Sequence, residues 1–178
     1  MNKYKNITLF LVKFFGTYFL LFAIYATYLH SSQVKEPKFQ CSSLTTTVAD
    51  QTVSVLKFFK YHVKSIQHEA EMSVKLLVGD NYVARVIEGC NSMSVIILFV
   101  AFIIAFPGPK KATVIYAFFG SLIIYVINIL RIAFLTMMLY KYPNQQEILH
   151  NLVFPAIIYG ATFLLWVIWV QKFSHYKK

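Results

Sequence analysis

Apolar residues in this chain fall into runs long enough to cross a bilayer, and that fixes the solvent for most of it. A spanning helix needs about 20 mostly apolar residues. The run 9–29 qualifies, with Lys13 near enough to its start to snorkel. The run 92–106 is shorter; Asn91 and the Gly89-Cys90 pair extend it, and Pro107-Gly108-Pro109 stops it. The run 112–140 is long enough to tilt or to project beyond the bilayer. The run 149–170 carries Trp166 and Trp169, placed as interfacial anchors. The reading is one membrane domain over 1–178, an all-α polytopic bundle of four transmembrane helices at about 9–29, 91–107, 112–140 and 149–170. Residues 30–89 form the one long loop. The basic start of the first run resembles a signal peptide, but no small-x-small cleavage pattern follows it, so an uncleaved anchor is expected.

Charge supports this reading. Only 13% of residues are charged, against about 25% in ordinary soluble domains. The formal charge of +10 raises nucleic acid as a partner, but the cations are mostly lysines at run ends and in the loop. Such lysines meet anionic headgroups and set orientation, so no nucleic acid is expected. Lys3 and Lys5, Lys110 and Lys111, and Lys172, Lys177 and Lys178 fall on one side of a four-span bundle. The positive-inside rule makes that side cytoplasmic, with both termini, and makes the long loop extracytoplasmic. The loop's seven cations argue the other way, but it is near the length at which loops translocate regardless of charge.

Within the loop, Pro37 and the stretch 40–47 read as a flexible connector. Val48, Thr52, Val55, Phe59, Val63, Ile66 and Ala70 then recur at helical spacing, with Asp50, Lys57, Lys60, Lys64 and Glu71 opposite. This predicts an amphipathic helix on the membrane or the bundle. Met72, Val74, Leu76 and Val78 alternate with other residues, Gly79-Asp80-Asn81 is turn chemistry, and 82–87 is β-prone. The expected β-hairpin ends at Glu88-Gly89-Cys90 and presents the cysteine at the rim.

Three residues with chemical potential share one end of this bundle: Cys90, Arg131 and His150. Arg131 interrupts the apolar stretch 123–139, where a guanidinium costs roughly 2.5–3.5 kcal/mol at a helix centre. It can serve as a structural clamp between helices or stabilise an oxyanion. Asn128, three residues earlier, shares its face. Three uses are open to Cys90: a nucleophile whose thiolate a helix N-terminus favours, a disulfide partner of Cys41, or an inert buried thiol. His150 is an interfacial residue or, beside a thiol, a general acid and base. His30, His62, His68 and His175 read as solvated. His62 and His68 lack metal-ligand spacing and a nearby cysteine, so no metal is expected, and no cofactor is expected either. The absence of a phosphate loop, a Walker lysine and paired in-membrane carboxylates counts against an ATPase and a proton-driven pump.

Glu88-Gly89-Cys90-Asn91-Ser92 opening one span, Asn128-Ile129-Leu130-Arg131-Ile132 in the next and His150-Asn151 opening the last resemble the exosortase/archaeosortase family. The resemblance covers about 82–170. The compact chain, its loop and the Pro-Gly-Pro turn resemble the Bacteroidetes-type exosortase F branch; larger relatives have further N-terminal spans. Many relatives have a small residue and then glycine where this chain has Asn91-Ser92. The resemblance implies a cysteine transpeptidase or protease of the bacterial inner membrane, with its active site on the periplasmic side. Cys90, Arg131 and His150 match the family's catalytic residues, with Asn128, Asn91 and Asn151 supporting them. Its substrate would be an exported protein bearing a C-terminal hydrophobic sorting helix; membrane lipid and a small membrane accessory protein are further partners. Two other readings compete. One is a non-enzymatic scaffold or assembly factor with Arg131 as clamp; the other is a thiol-redox protein using Cys41 and Cys90.

Overall fold

The computed structural model describes residues 2–34 and 39–173. The expected connector residue Pro37 and the tail residues His175, Lys177 and Lys178 lie outside them. Helix α1 (Asn2–Ser32) leads into α2 (Ser43–Phe58) and the strands β1 (Val63–Gln67), β2 (Ser73–Val78) and β3 (Asn81–Ile87). A 3₁₀ turn, Glu88–Cys90, precedes α3 (Met93–Ala105). Helix α4 (Lys110–Lys141) follows. A 3₁₀ turn, the single-turn α5 (Gln146–Ile148) and a π-turn, Leu149–Val153, run into α6 (Phe154–Lys172).

Three helical segments are long and apolar enough to cross a membrane: Tyr4–Ser32, Lys110–Lys141 and Pro143–Lys172. The chain is therefore a multi-pass membrane protein, mostly helical. The fourth expected span, 91–107, contains the 13-residue α3. At 1.5 Å per residue it covers roughly 20 Å, short of a hydrocarbon core of about 30 Å. The proline-glycine turn ends it at one side, and the Cys90 turn replaces its first helical turn at the other. Helix α3 packs against α1, α4 and α6.

Two apolar cores divide the molecule. The first, in the helical bundle, is built from Phe99, Ile103, Ile124, Ile158 and Trp169. Trp169 is fully buried, its ring 5.0 Å from that of Tyr116, and Trp166 stacks on Phe102 at 4.4 Å. These tryptophans are packing residues rather than the expected interfacial anchors, because the α3–α6 seam needs their volume. Gly120 lets α4 approach α3: a Cβ there would meet the Phe99 ring at 2.3 Å.

The second core joins α2 and the sheet to the far half of α4 through Val48, Leu56, Val74, Leu76, Val86, Ile132 and Leu139. The expected hairpin forms, with Val78 opposite Asn81 and Gly79 at φ 63° in the two-residue loop. It gains a third strand, antiparallel β1, in the order β1-β2-β3. The expected helix is thus too long. Val63 and Ile66 sit in β1, paired with Val78 and Lys75, and not on a helix face. Helix α2 stops in a Schellman motif: Tyr61 N–H reaches Leu56 O and Lys60 N–H reaches Lys57 O, with Lys60 at φ 64°. Lysine in place of glycine at that position hides the stop from sequence reading. The buried face of α2 is Thr45, Val48, Ala49, Thr52, Val53 and Leu56; Phe59, expected inside, is exposed. The helix also begins earlier than expected, absorbing residues 43–47 of the presumed connector, because the Ser42 side chain caps it by accepting from Thr45 N–H.

Candidate active site

Cys90, Arg131 and His150 line one pocket of about 170 Å³, with Arg85, Val86, Gly89, Ile132, Leu135, Phe154 and Pro155. It lies where the two cores meet along α4. Ile124 of that helix belongs to the bundle core and Ile132 to the second core, and Asn128 and Arg131 fall at the seam. No hydrogen bond joins the three side chains among the described residues.

Cys90 is the last residue of the 3₁₀ turn and is partly buried. It does not occupy the N-terminus of α3, as the thiolate argument expected. Met93 N–H in the first turn of α3 donates to Asn91 Oδ1 at 3.0 Å. The turn is fixed by its polar neighbours. The Glu88 carboxylate accepts from Ser42 N–H at 2.6 Å, from the Ser42 hydroxyl at 2.7 Å and from the Thr45 hydroxyl, all at the start of α2. A carboxylate there also meets the positive end of the helix. Asn91, buried, donates through Nδ2 to the Tyr25 hydroxyl of α1 at 2.7 Å and to the Thr45 hydroxyl at 3.1 Å. On the other side, Asn128 Nδ2 donates to the Cys90 carbonyl at 2.7 Å. Helix α4 therefore holds the Cys90 carbonyl directly, while α1 and α2 hold its neighbours Glu88 and Asn91.

Arg131 lies ten residues before the end of α4. Its guanidinium carbon sits 6.0 Å from the centre of the Phe154 ring, within cation–π range. The His150 ring stands edge-on to Phe154 at 6.3 Å. One buried phenyl ring thus supports both groups.

His150 does not open a helix, as expected, but sits within the π-turn. Pro155 accounts for that turn. In a regular α-helix its ring would press on the carbonyl four residues earlier, Asn151. Widening the turn relieves the clash, and Phe154 N–H instead reaches Leu149 O, five residues back. His150 is exposed on the pocket side; Asn151 is exposed and is not part of the pocket lining. Asn91 and Asn128 act on the cysteine segment rather than in the pocket.

Both cysteines are free thiols. Cys41 is buried in the second core, where Gln67 Nε2 approaches its sulfur at 3.7 Å. Burial pushes its thiol up from the ordinary value of 9.0, with the Gln67 hydrogen bond opposing. Among the described residues, no group of three His, Cys, Asp or Glu side chains is placed to hold a metal ion. Sequence reading missed Arg85, Phe154 and the anchoring role of Glu88. Glu88 stood in the motif, but nothing local linked it to an α2 cap 46 residues away.

Fold and pocket together define a multi-pass membrane protein with a polar, thiol-containing pocket at the junction of a helical bundle and a small α/β unit. Residues 7–170 match the family model described as transmembrane exosortase (Exosortase_EpsH), and the chain belongs to that family. No curated protein and no solved structure matches it.

Proposed function

We propose that this protein is a membrane cysteine transpeptidase or protease that cleaves C-terminal sorting signals of exported proteins, with Cys90 as nucleophile. The observation that carries the reading is the pocket shared by a thiol, a guanidinium and an imidazole, drawn from three separate segments. The Cys90 thiolate attacks the scissile carbonyl, and Arg131 donates to the oxyanion of the tetrahedral adduct. As the C–N bond breaks, His150 gives a proton to the leaving amine, and the acyl group remains as a Cys90 thioester. Neutral His150 then takes a proton from the incoming nucleophile. Water as nucleophile gives hydrolysis; an amine or a lipid-linked acceptor gives transfer.

Lysine placement supports cytoplasmic termini in a bacterial inner membrane, with the pocket facing the periplasm. That arrangement rests on α3 completing the crossing despite its length. The turn at Pro107-Gly108-Pro109 supports the exosortase F branch. Membrane lipid and a small accessory protein are further partners on this reading. The scaffold reading gives Arg131 a clamping role between helices, in which Cys90→Ala would leave function intact.

Cells producing the wild type or Cys90→Ala test the reading. Extracts quenched in acid are searched by mass spectrometry for a peptide esterified to the Cys90 sulfur. The wild type should carry it, and Cys90→Ala should lose both adduct and processing at an unchanged membrane level. Processing that continues in Cys90→Ala would refute the proposal.

A further inference from the structure

Helix α2 ends in Lys57-Phe58, and Phe59-Lys60 follow at once. Phe58 is 83% exposed and Phe59 55%, so two phenyl rings stand in the open between two exposed lysines. The rings meet edge-on, with centroids 5.6 Å apart. The core of this unit does not use them; α2 buries Val48, Val53 and Leu56 instead. Neither lysine has an ion-pair partner among the described residues. Asp50, the acidic residue of α2, accepts from the Ser65 hydroxyl at 2.6 Å.

Three tyrosine hydroxyls fix the level of this corner. Near the end of α1, Tyr25 accepts from Asn91, and Tyr28 bonds to the Ser43 hydroxyl at 2.9 Å. In the spanning helix α4, Tyr125 donates to Gln51 Oε1 at 2.7 Å. Tyrosines with an apolar ring on a span and a hydroxyl on a polar partner mark the membrane–water interface. Helix α2 is thus tied to that level at Ser43 and again at Gln51, and lies along the interface on the Cys90 side. Gln51, Val55, Phe58 and Phe59 follow at i, i+4, i+7 and i+8, which is one face of a helix. The Tyr125 contact shows that this face is turned toward the spanning helices. Phe58 lies roughly 10 Å beyond Gln51 along the axis, about one helix width, and there both rings emerge uncovered.

We propose that Lys57, Phe58, Phe59 and Lys60 form a lipid-docking corner. The two rings enter the leaflet on the Cys90 side, and the lysines take anionic phospholipid headgroups. Free ammonium groups suit a surface of phosphates, and exposed phenyl rings suit the acyl boundary beneath it. The opposite end of α2 carries Ser42 and Thr45, which hold Glu88 and Asn91 on either side of Cys90. Docking the corner therefore sets the height of the Cys90 turn above the bilayer. The inference does not depend on the chemistry assigned to Cys90.

The test uses the full-length protein carrying Phe58→Trp, reconstituted in liposomes of equal phosphatidylcholine and phosphatidylglycerol. One lipid at a time is brominated near the headgroup end of its acyl chains, and the wild-type fluorescence is subtracted to isolate the new indole. Phe59→Trp, made separately, serves as the second probe should the first variant misfold. Both brominated lipids should quench the indole, and brominated phosphatidylglycerol should do so about two- to fivefold more, since one lysine near an anionic surface is worth about fivefold in occupancy. Lys57→Gln with Lys60→Gln should bring the two lipids to equality. An indole quenched by neither lipid would overturn the proposal and assign the corner to water, a second copy or another protein. Equal quenching by both lipids before the lysines are changed, or a preference that survives their loss, would overturn it as well.

Discussion

Replacing Glu88 tests whether the cysteine turn is held from α2. Its carboxylate accepts three hydrogen bonds, one from a backbone N–H and two from hydroxyls, and Ser42 and Thr45 are fully buried. A hydrogen bond to a charged group is worth about 1.5–3 kcal/mol net, and such values do not add within one cluster. The two hydroxyls can still find each other at 3.2 Å, but only one of them donates in that pair, and the Asn91 amide donates to Thr45 rather than accepting from it. That leaves the Ser42 N–H and one hydroxyl without an acceptor. We therefore expect Glu88→Ala to cost about 3–4 kcal/mol, and Glu88→Gln about 1–2, since an amide oxygen still accepts but carries no charge. In a domain of this size 1 kcal/mol moves the melting temperature by roughly 2–4 °C, so Glu88→Ala should lower it by roughly 6–16 °C.

Stability alone does not separate a general loss from release of the turn. The second readout is the iodoacetamide rate at Cys90 well below the melting temperature. If the 88–92 segment is clamped through Glu88, loosening it should change that rate in Glu88→Gln while the Cys41 rate stays near zero. A double cycle with Thr45→Val should show coupling of at least about 0.5 kcal/mol. Glu88→Ala within about 0.5 kcal/mol of wild type, with an unaltered Cys90 rate, would refute the clamp.

Gly120→Ala should destabilise the bundle by about 1–3 kcal/mol, because the new methyl meets the buried Phe99 ring. Adding Phe99→Leu should recover part of the loss in the same melting assay. Cys41 should resist maleimide in the folded protein and react on unfolding. Its folded thiol titrates above the ordinary value because burial disfavours the thiolate. The stabilisation this gives is therefore whole below about pH 9 and is lost as pH rises through the folded value. Cys41→Ala should flatten that alkaline decline in a pH series of melting curves; an unchanged decline would assign it to other groups.

What was legible in the sequence follows the range of the interactions involved. Hydrophobic runs 9–29, 112–140 and 149–170 became helices within a few residues at most ends, since the lipid-facing pattern is local. The hairpin was legible because Gly79-Asp80 carries its turn chemistry within two residues. Helix α2 was overextended because Val63 and Ile66 keep a helical spacing by accident, while the stop depends on Lys60 adopting a conformation that favours glycine. The same holds at Ser92, φ 64°, where many relatives are expected to have glycine. There the Ser92 hydroxyl bonds to Asn91 O at 2.6 Å, a local compensation that no spacing rule reveals. The pocket residues Cys90, Arg131 and His150 were visible as polar intrusions at similar depth. Arg85 was not, because a charged residue on an alternating strand looks like ordinary solvent-facing surface.

The position of Arg131 shows how an expensive residue is accommodated. A guanidinium facing acyl chains would bear the full insertion cost of roughly 2.5–3.5 kcal/mol. Here α4 is shared by two cores, and Arg131 lies at their seam, turned into a pocket and set against Phe154. A partly desolvated cation over a phenyl ring recovers about 0.5–2 kcal/mol. No carboxylate lines the pocket to take up the rest. One turn of α4 earlier, Asn128 uses its amide to fix the Cys90 carbonyl and leaves its own buried oxygen without a partner. Helix α4 thus positions the thiol's backbone through Asn128 and brings the Arg131 guanidinium into the same pocket one turn later, the placement that the proposed oxyanion role requires.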